Sequence, residues 1–118
     1  MQYMLMIYSG EQDYSKLDQA VISQQMAAYE GFAQALRTAG VCTGMGRLQA
    51  SSTATTVRVS NGKSQVLNGP FADSKEQLGG YFIVDVPDLD AAISWAARCP
   101  GSSHGVVEVR PLWPMPTN

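Results

Sequence analysis

The chain has 118 residues, of which 45% are hydrophobic and only 15% charged, with a net charge of −2. That length suits a single domain (1–118) able to bury roughly two-thirds of its extended surface. Its Lys and Arg residues are scattered singly, which excludes nucleic acid as a partner because phosphate neutralisation needs clustered cations, and no apolar run approaches a membrane span.

The opening Met1-Gln2-Tyr3 lacks the charged front end and apolar middle of a signal peptide, so a cytoplasmic location is expected. Charge this sparse also suggests that part of the surface is hidden by a partner chain. Cys42 and Cys99 lack a C-x-x-C arrangement or a neighbouring His, and read as small, reduced, half-buried residues. With one histidine in the chain, a His-rich metal site is excluded.

In chain order, Tyr3 to Tyr8 is apolar on both alternating faces, as in a strand covered on two sides. A polar loop follows through Tyr14. From Ser15 to Ala39, Ile22, Met26, Tyr29, Ala33 and Leu36 form a helical stripe, which Ala28, Phe32 and Ala35 widen. Ser15 or Asp18 caps its start, and Gly40 suits the left-handed position after its last turn.

Val41 to Leu48 carries Thr43, Gly44 and Gly46, so a bent or bulged strand is expected. Ser51 to Thr53 is turn-like, and Thr55 to Val59 alternates and is β-branched. Asn61-Gly62 marks a type I′ hairpin turn, with Ser64 to Leu67 as the return strand.

The run Asn68-Gly69-Pro70-Phe71-Ala72-Asp73-Ser74-Lys75-Glu76-Gln77-Leu78-Gly79-Gly80-Tyr81-Phe82 is densest in backbone-shaping chemistry. It reads as a rigid turn, a self-capping helical turn from Asp73 to Glu76, and a double-glycine entry into a strand over Tyr81–Val86. Asp88 then caps a second helix that buries Leu89, Ala92, Ile93, Ala96 and Ala97 and stops at Pro100. Val106 to Leu112 is the last strand, and the tail Pro114–Asn118 is extended.

The order β-α-β-(hairpin)-β-α-β predicts an α+β fold of the ferredoxin-like split β-α-β kind with an inserted β-hairpin. Two helices cover only one face of its antiparallel sheet. Sheet-to-sheet homodimerisation is the simplest cover for the other.

On the last strand, Glu108 and Arg110 share a face, and if Val107 and Val109 meet the helices this pair faces the dimer cavity. Two readings stand. Glu108 acts as a base, with Arg110, Arg58 and Lys75 holding an anion, or the pair is an inter-chain salt bridge that sets register. Tyr8, Tyr29 and Tyr81 either offer hydroxyls to the cavity or fill the core. Phe71 either stands at a pocket mouth or anchors a corner. Lys75 is free to meet an anionic ligand or Glu108, and His104 is a loop residue with no identifiable partner. Met4, Met6, Met26 and Met45 read as core filler.

Four segments carry a family resemblance. Tyr3 to Tyr8 resembles the family's opening strand and Ala54 to Arg58 its middle strand; Asn68 to Phe82 resembles D-G-P-F-A-E-[ST]-K-E-x-L-G-G-Y-[YF], and Val107 to Pro111 its closing strand. Together they resemble the YCII-related family in its DGPF-domain branch. The resemblance implies a dimeric α+β barrel related to small-molecule enzymes such as muconolactone isomerases and cofactor-free monooxygenases. Any enzyme activity is expected to proceed without a metal or bound organic cofactor.

Some family members accompany extracytoplasmic-function sigma factors, which implies an alternative role as a regulatory, protein-docking module built on residues 61–76. A structural dimer without activity is a third reading. Asn68 stands where the motif has Asp, and Asn makes an Asx-turn but cannot act as an acid or base near neutrality. The first helix also lacks the His of a His–Asp pair proposed as catalytic in another branch.

Overall fold

The computed structural model describes residues 1–116; of the tail expected to be extended, Thr117 and Asn118 lie outside the described residues. The elements are β1 (Gln2–Gly10), α1 (Gln19–Ala39), β2 (Cys42–Arg47), β3 (Thr55–Ser60), β4 (Lys63–Asn68), β5 (Glu76–Asp85), α2 (Leu89–Arg98), α3 (Gly101–His104) and β6 (Val106–Pro111). Short 3-10 turns at Tyr14–Lys16 and Ser51–Thr53 punctuate the loops. Among the described residues no helix is long and apolar enough to cross a membrane.

Four strands form an antiparallel sheet in the order β2-β5-β1-β6, while β3 and β4 pair only with each other. With that hairpin set aside, the mixed α+β arrangement is consistent with a ferredoxin-like fold. Alternation along β1 sends Tyr3, Leu5 and Ile7 into the core with Phe82 and Val84 of β5. Helix α1 lays Phe32, Ala33 and Leu36 over them. The Phe32 ring meets Phe82 edge-on at 5.1 Å and Trp95 of α2 at 6.3 Å. These contacts and the approach of Gly101 to Ile7 put all three helices on one face of the sheet.

Local backbone chemistry sets most boundaries. The Asp18 carboxylate accepts from the Ala20 amide at 3.1 Å, capping α1, and Gly40 closes that helix at φ 72°. The Asp88 carboxylate accepts from the Ala91 amide at 2.9 Å to start α2. Asn61 and Gly62 both take positive φ (52° and 75°), the type I′ pattern that matches strand twist. The expected irregularity in β2 is a register shift between Cys42 and Gly44.

Four local expectations are corrected. No helical turn forms over Asp73–Glu76. Glu76 and Gln77 instead pair with Gly10 and Ser9 and so extend β5, and the Gln77 amide donates to the Ala72 and Ser74 carbonyls. The pull of the sheet ladder overrides the capping pattern. In α2 the buried side is Ala92, Ala96 and Cys99 with Ala91 and Trp95 packed beside them, so Leu89, Ile93 and Ala97 face outward. Two alanines allow close approach to the sheet while Trp95 seals the edge, which turns the helix from its aliphatic stripe. His104 ends the short α3 and is not a loop residue. In α1, likewise, Ala28 and Met26 are exposed.

The β3–β4 hairpin stands away from the sheet as an arm. The radius of gyration is 16.5 Å, against about 13.5 Å for a compact chain of this length. Val57 pairs with Val66 on one side of the arm, beside Val59, and the three are 60%, 61% and 66% exposed. Where the arm returns to the sheet, Gly69 takes φ 108° and its amide donates to the Ala54 carbonyl at 2.7 Å. Glu11 tethers the other side, accepting from the amide (2.7 Å) and the hydroxyl of Ser51. These bonds to its charged form hold its carboxyl below the ordinary value.

Candidate functional site

The face of the sheet turned away from the helices carries the first constellation. Antiparallel register places Met4 beside Ile83 and Arg110, and Met6 beside Tyr81 and Glu108, with all these side chains on that face. Tyr8 follows, flanked by Leu78 and Val106. On β2 the corresponding residues are Gly44 and Gly46, and the Tyr81 ring lies where a side chain at position 46 would go; a Cβ there would sit 2.7 Å from it. The result is a low platform of Met, Tyr and Ile side chains with a charged margin.

At that margin Arg110 donates to the Glu108 carboxylate, forming an ion pair. Val107 and Val109 pack toward the core, so the pair does point to the open face. Tyr8 is half-buried, with its hydroxyl 4.0 Å from the Met6 sulfur. Glu108, Arg110 and Tyr8 therefore share the open face, but only Glu108 and Arg110 touch; Tyr8 lies beside Val106 and Met6.

The other residues singled out lie elsewhere within one chain. Arg58 is on the arm, opposite Gln65. Phe71, 78% exposed, stands at the arm's base near Leu48, Pro70 and Leu78. Lys75 is exposed and makes no ion pair with Glu108, whose partner is Arg110. The sharp return after Asn68 depends on Gly69, and the Asn68 side chain makes no hydrogen bond among the described residues.

A second constellation, on the helix side, had no signal in the residue pattern. The first half of α1 overhangs the sheet, leaving an open cleft of about 350 Å³ under Ile22, Met26 and Tyr29, floored by Ile7, Met45 and Phe82 and flanked by Tyr14. Arg47 at the end of β2 reaches into it, its guanidinium 5.4 Å from the centre of the Tyr14 ring. Burial pushes the Tyr29 phenol up from its ordinary value, with Arg47 pulling weakly the other way. Met26 and Met45, expected as core filler, both line this cleft. Only the β2–β5 pairing brings Arg47 close to residues so distant in sequence.

Cys42 and Cys99 are free, and burial raises the Cys99 thiol, which makes it a poor nucleophile. Among the described residues no cluster of His, Cys, Asp or Glu could hold a metal ion.

Residues 1–116 match the model of the YCII-related domain. An uncharacterised protein of Rhizobium meliloti (strain 1021) is 41% identical over 76 residues, covering 63% of this chain and 61% of that protein. The match thus spans less than two-thirds of the relative's length.

Proposed function

The chain belongs to the YCII-related domain family, and within it we propose a homodimer of the DGPF-domain branch that binds a small polar or aromatic molecule between its two sheets. One observation carries this reading. Met4, Met6, Tyr8, Tyr81 and Ile83 form an apolar platform that, among the described residues, no helix covers. A second copy turned about a two-fold axis lays the same face against it, giving a dimeric α+β barrel.

In that enclosure the Glu108–Arg110 pair is the polar feature beside apolar walls, the usual make-up of a small-molecule site. Arg110 grips an anionic group with its planar fork and Glu108 accepts a proton. Membership of the DGPF branch rests on the run Asn68 to Phe82, with Asn68 in place of Asp as its departure.

A thermal-shift panel of small carboxylates and aromatic compounds tests this. Compounds that stabilise the unaltered chain are expected to lose most of their effect in Arg110→Gln and part of it in Glu108→Gln. Stabilisation equal in all three proteins would reject the site.

The arm favours a second reading. A two-stranded hairpin is marginal alone in water, so the Val57, Val59 and Val66 face calls for cover. If a different protein supplies it, the chain is a docking module of the kind that sigma-factor company implies. Hydrogen exchange decides. Protection of arm amides that grows with the chain's own concentration assigns the cover to a second copy, whereas an arm still unprotected in a formed dimer supports the docking reading.

A further inference from the structure

We propose that the cleft between α1 and the β2–β5 side of the sheet binds a small aromatic carboxylate, with Arg47 holding the carboxylate and Met26, Met45 and Phe82 enclosing the ring. The site lies on the opposite side of the sheet from the Glu108–Arg110 platform and is complete within one chain. It therefore stands or falls independently of dimerisation.

Size and lining come first. About 350 Å³ falls in the range of ligand pockets, and the walls are mostly apolar with few polar groups, as such pockets require. Its floor has a stretch of bare backbone, because Gly46 and Gly80 approach so closely that a Cβ on Gly80 would meet the Gly46 carbonyl at 2.9 Å. A flat ring can lie against such a floor. Met26 above and Met45 in the floor adapt to a ring and make favourable sulfur–aromatic contacts.

Charge then selects the ligand. Arg47 has no carboxylate partner among the described residues, and its guanidinium rests against the Tyr14 ring. Glu30 is the one acid on the lining, and it is already engaged by Arg37 at 3.4 Å. An unanswered guanidinium at the mouth of an apolar cleft matches a molecule with one anionic end and one planar apolar body. Carboxylate fits the guanidinium fork in two parallel hydrogen bonds.

The test uses 2-naphthoate, with 2-naphthalenemethanol as the neutral analogue, and the full chain labelled at its methionine methyls. Met26 and Met45 report the cleft, and Met4 and Met6 the open face. Saturable shifts at Met26 and Met45 with Met4 and Met6 unmoved are expected for naphthoate. In Arg47→Met, naphthoate should bind about tenfold more weakly or worse, while the alcohol is little changed. Arg47 is exposed, so this variant folds; Arg47→Lys should fall between the two. Absence of saturable shifts up to millimolar naphthoate, equal affinity in Arg47→Met, or shifts confined to Met4 and Met6 would each overturn the proposal.

Discussion

Replacing Met6 by Asp is expected to turn the proposed homodimer into a folded monomer. Met6 sits at the centre of the open platform, between Tyr81 on one side and Glu108 on the other. In a two-fold dimer the substitution places two carboxylates in one apolar interface, close to the existing Glu108 charges. An unpaired charge buried in this way costs about 3–5 kcal/mol, which weakens association roughly a thousandfold. In the single chain Met6 is only half-buried, so the fold itself should lose little. Light scattering after size exclusion should report one chain mass for Met6→Asp and twice that for Met6→Leu, with the same circular dichroism for both. An Asp variant that remains dimeric contradicts the interface.

The largest effect on stability is expected from Phe32→Ala. The Phe32 ring is 5% exposed and touches both Phe82 of the sheet and Trp95 of α2, joining three elements at one point. Its removal leaves a cavity and ends two edge-to-face contacts, so a loss of about 3–5 kcal/mol is expected. Urea unfolding should show a much lower midpoint with an unchanged slope. By contrast, Ile93→Ala, on the outward side of α2, should cost well under half as much. Comparable losses at the two positions would mean that the helix is turned as its aliphatic stripe suggests.

Features that depend on a few adjacent residues were legible before the fold. Gly40, Asp88 and the Asn61-Gly62 turn each act through their own backbone or the next turn, and each occurs where expected. The alternation of β1 and β6 gave the facing of Glu108 and Arg110 for the same reason, since a period of two leaves one choice once Val107 and Val109 are inward. Asp73 to Glu76 misled because a capping pattern is a weak local preference, whereas pairing with Ser9 and Gly10 brings several ladder bonds at once. Helix α2 was legible in part: Ala92 and Ala96 are buried as expected, but Leu89, Ile93 and Ala97 are not, because periodicity alone does not fix where the edge of the buried stripe falls. That edge is set by the fit of Ala92, Ala96 and Cys99 against the sheet with Trp95 beside them, a tertiary matter. The Arg47 cleft left no trace in spacing, because Tyr14, Tyr29, Arg47 and Phe82 converge only through strand order and the overhang of α1. The expectation that Arg58 joins Glu108 and Arg110 has no pairing signal behind it, and the separate pairing of the arm parts them within a chain.

The most direct measurement is an isotope-filtered nuclear Overhauser experiment on mixed labelled and unlabelled chains at micromolar to millimolar concentration. Sheet-to-sheet association predicts cross-peaks between the Met4 or Met6 methyls of one chain and the Tyr8 or Tyr81 ring of another. Their absence in a sample whose mass is that of one chain, or a dimer whose cross-chain peaks arise only from the helices, would contradict it.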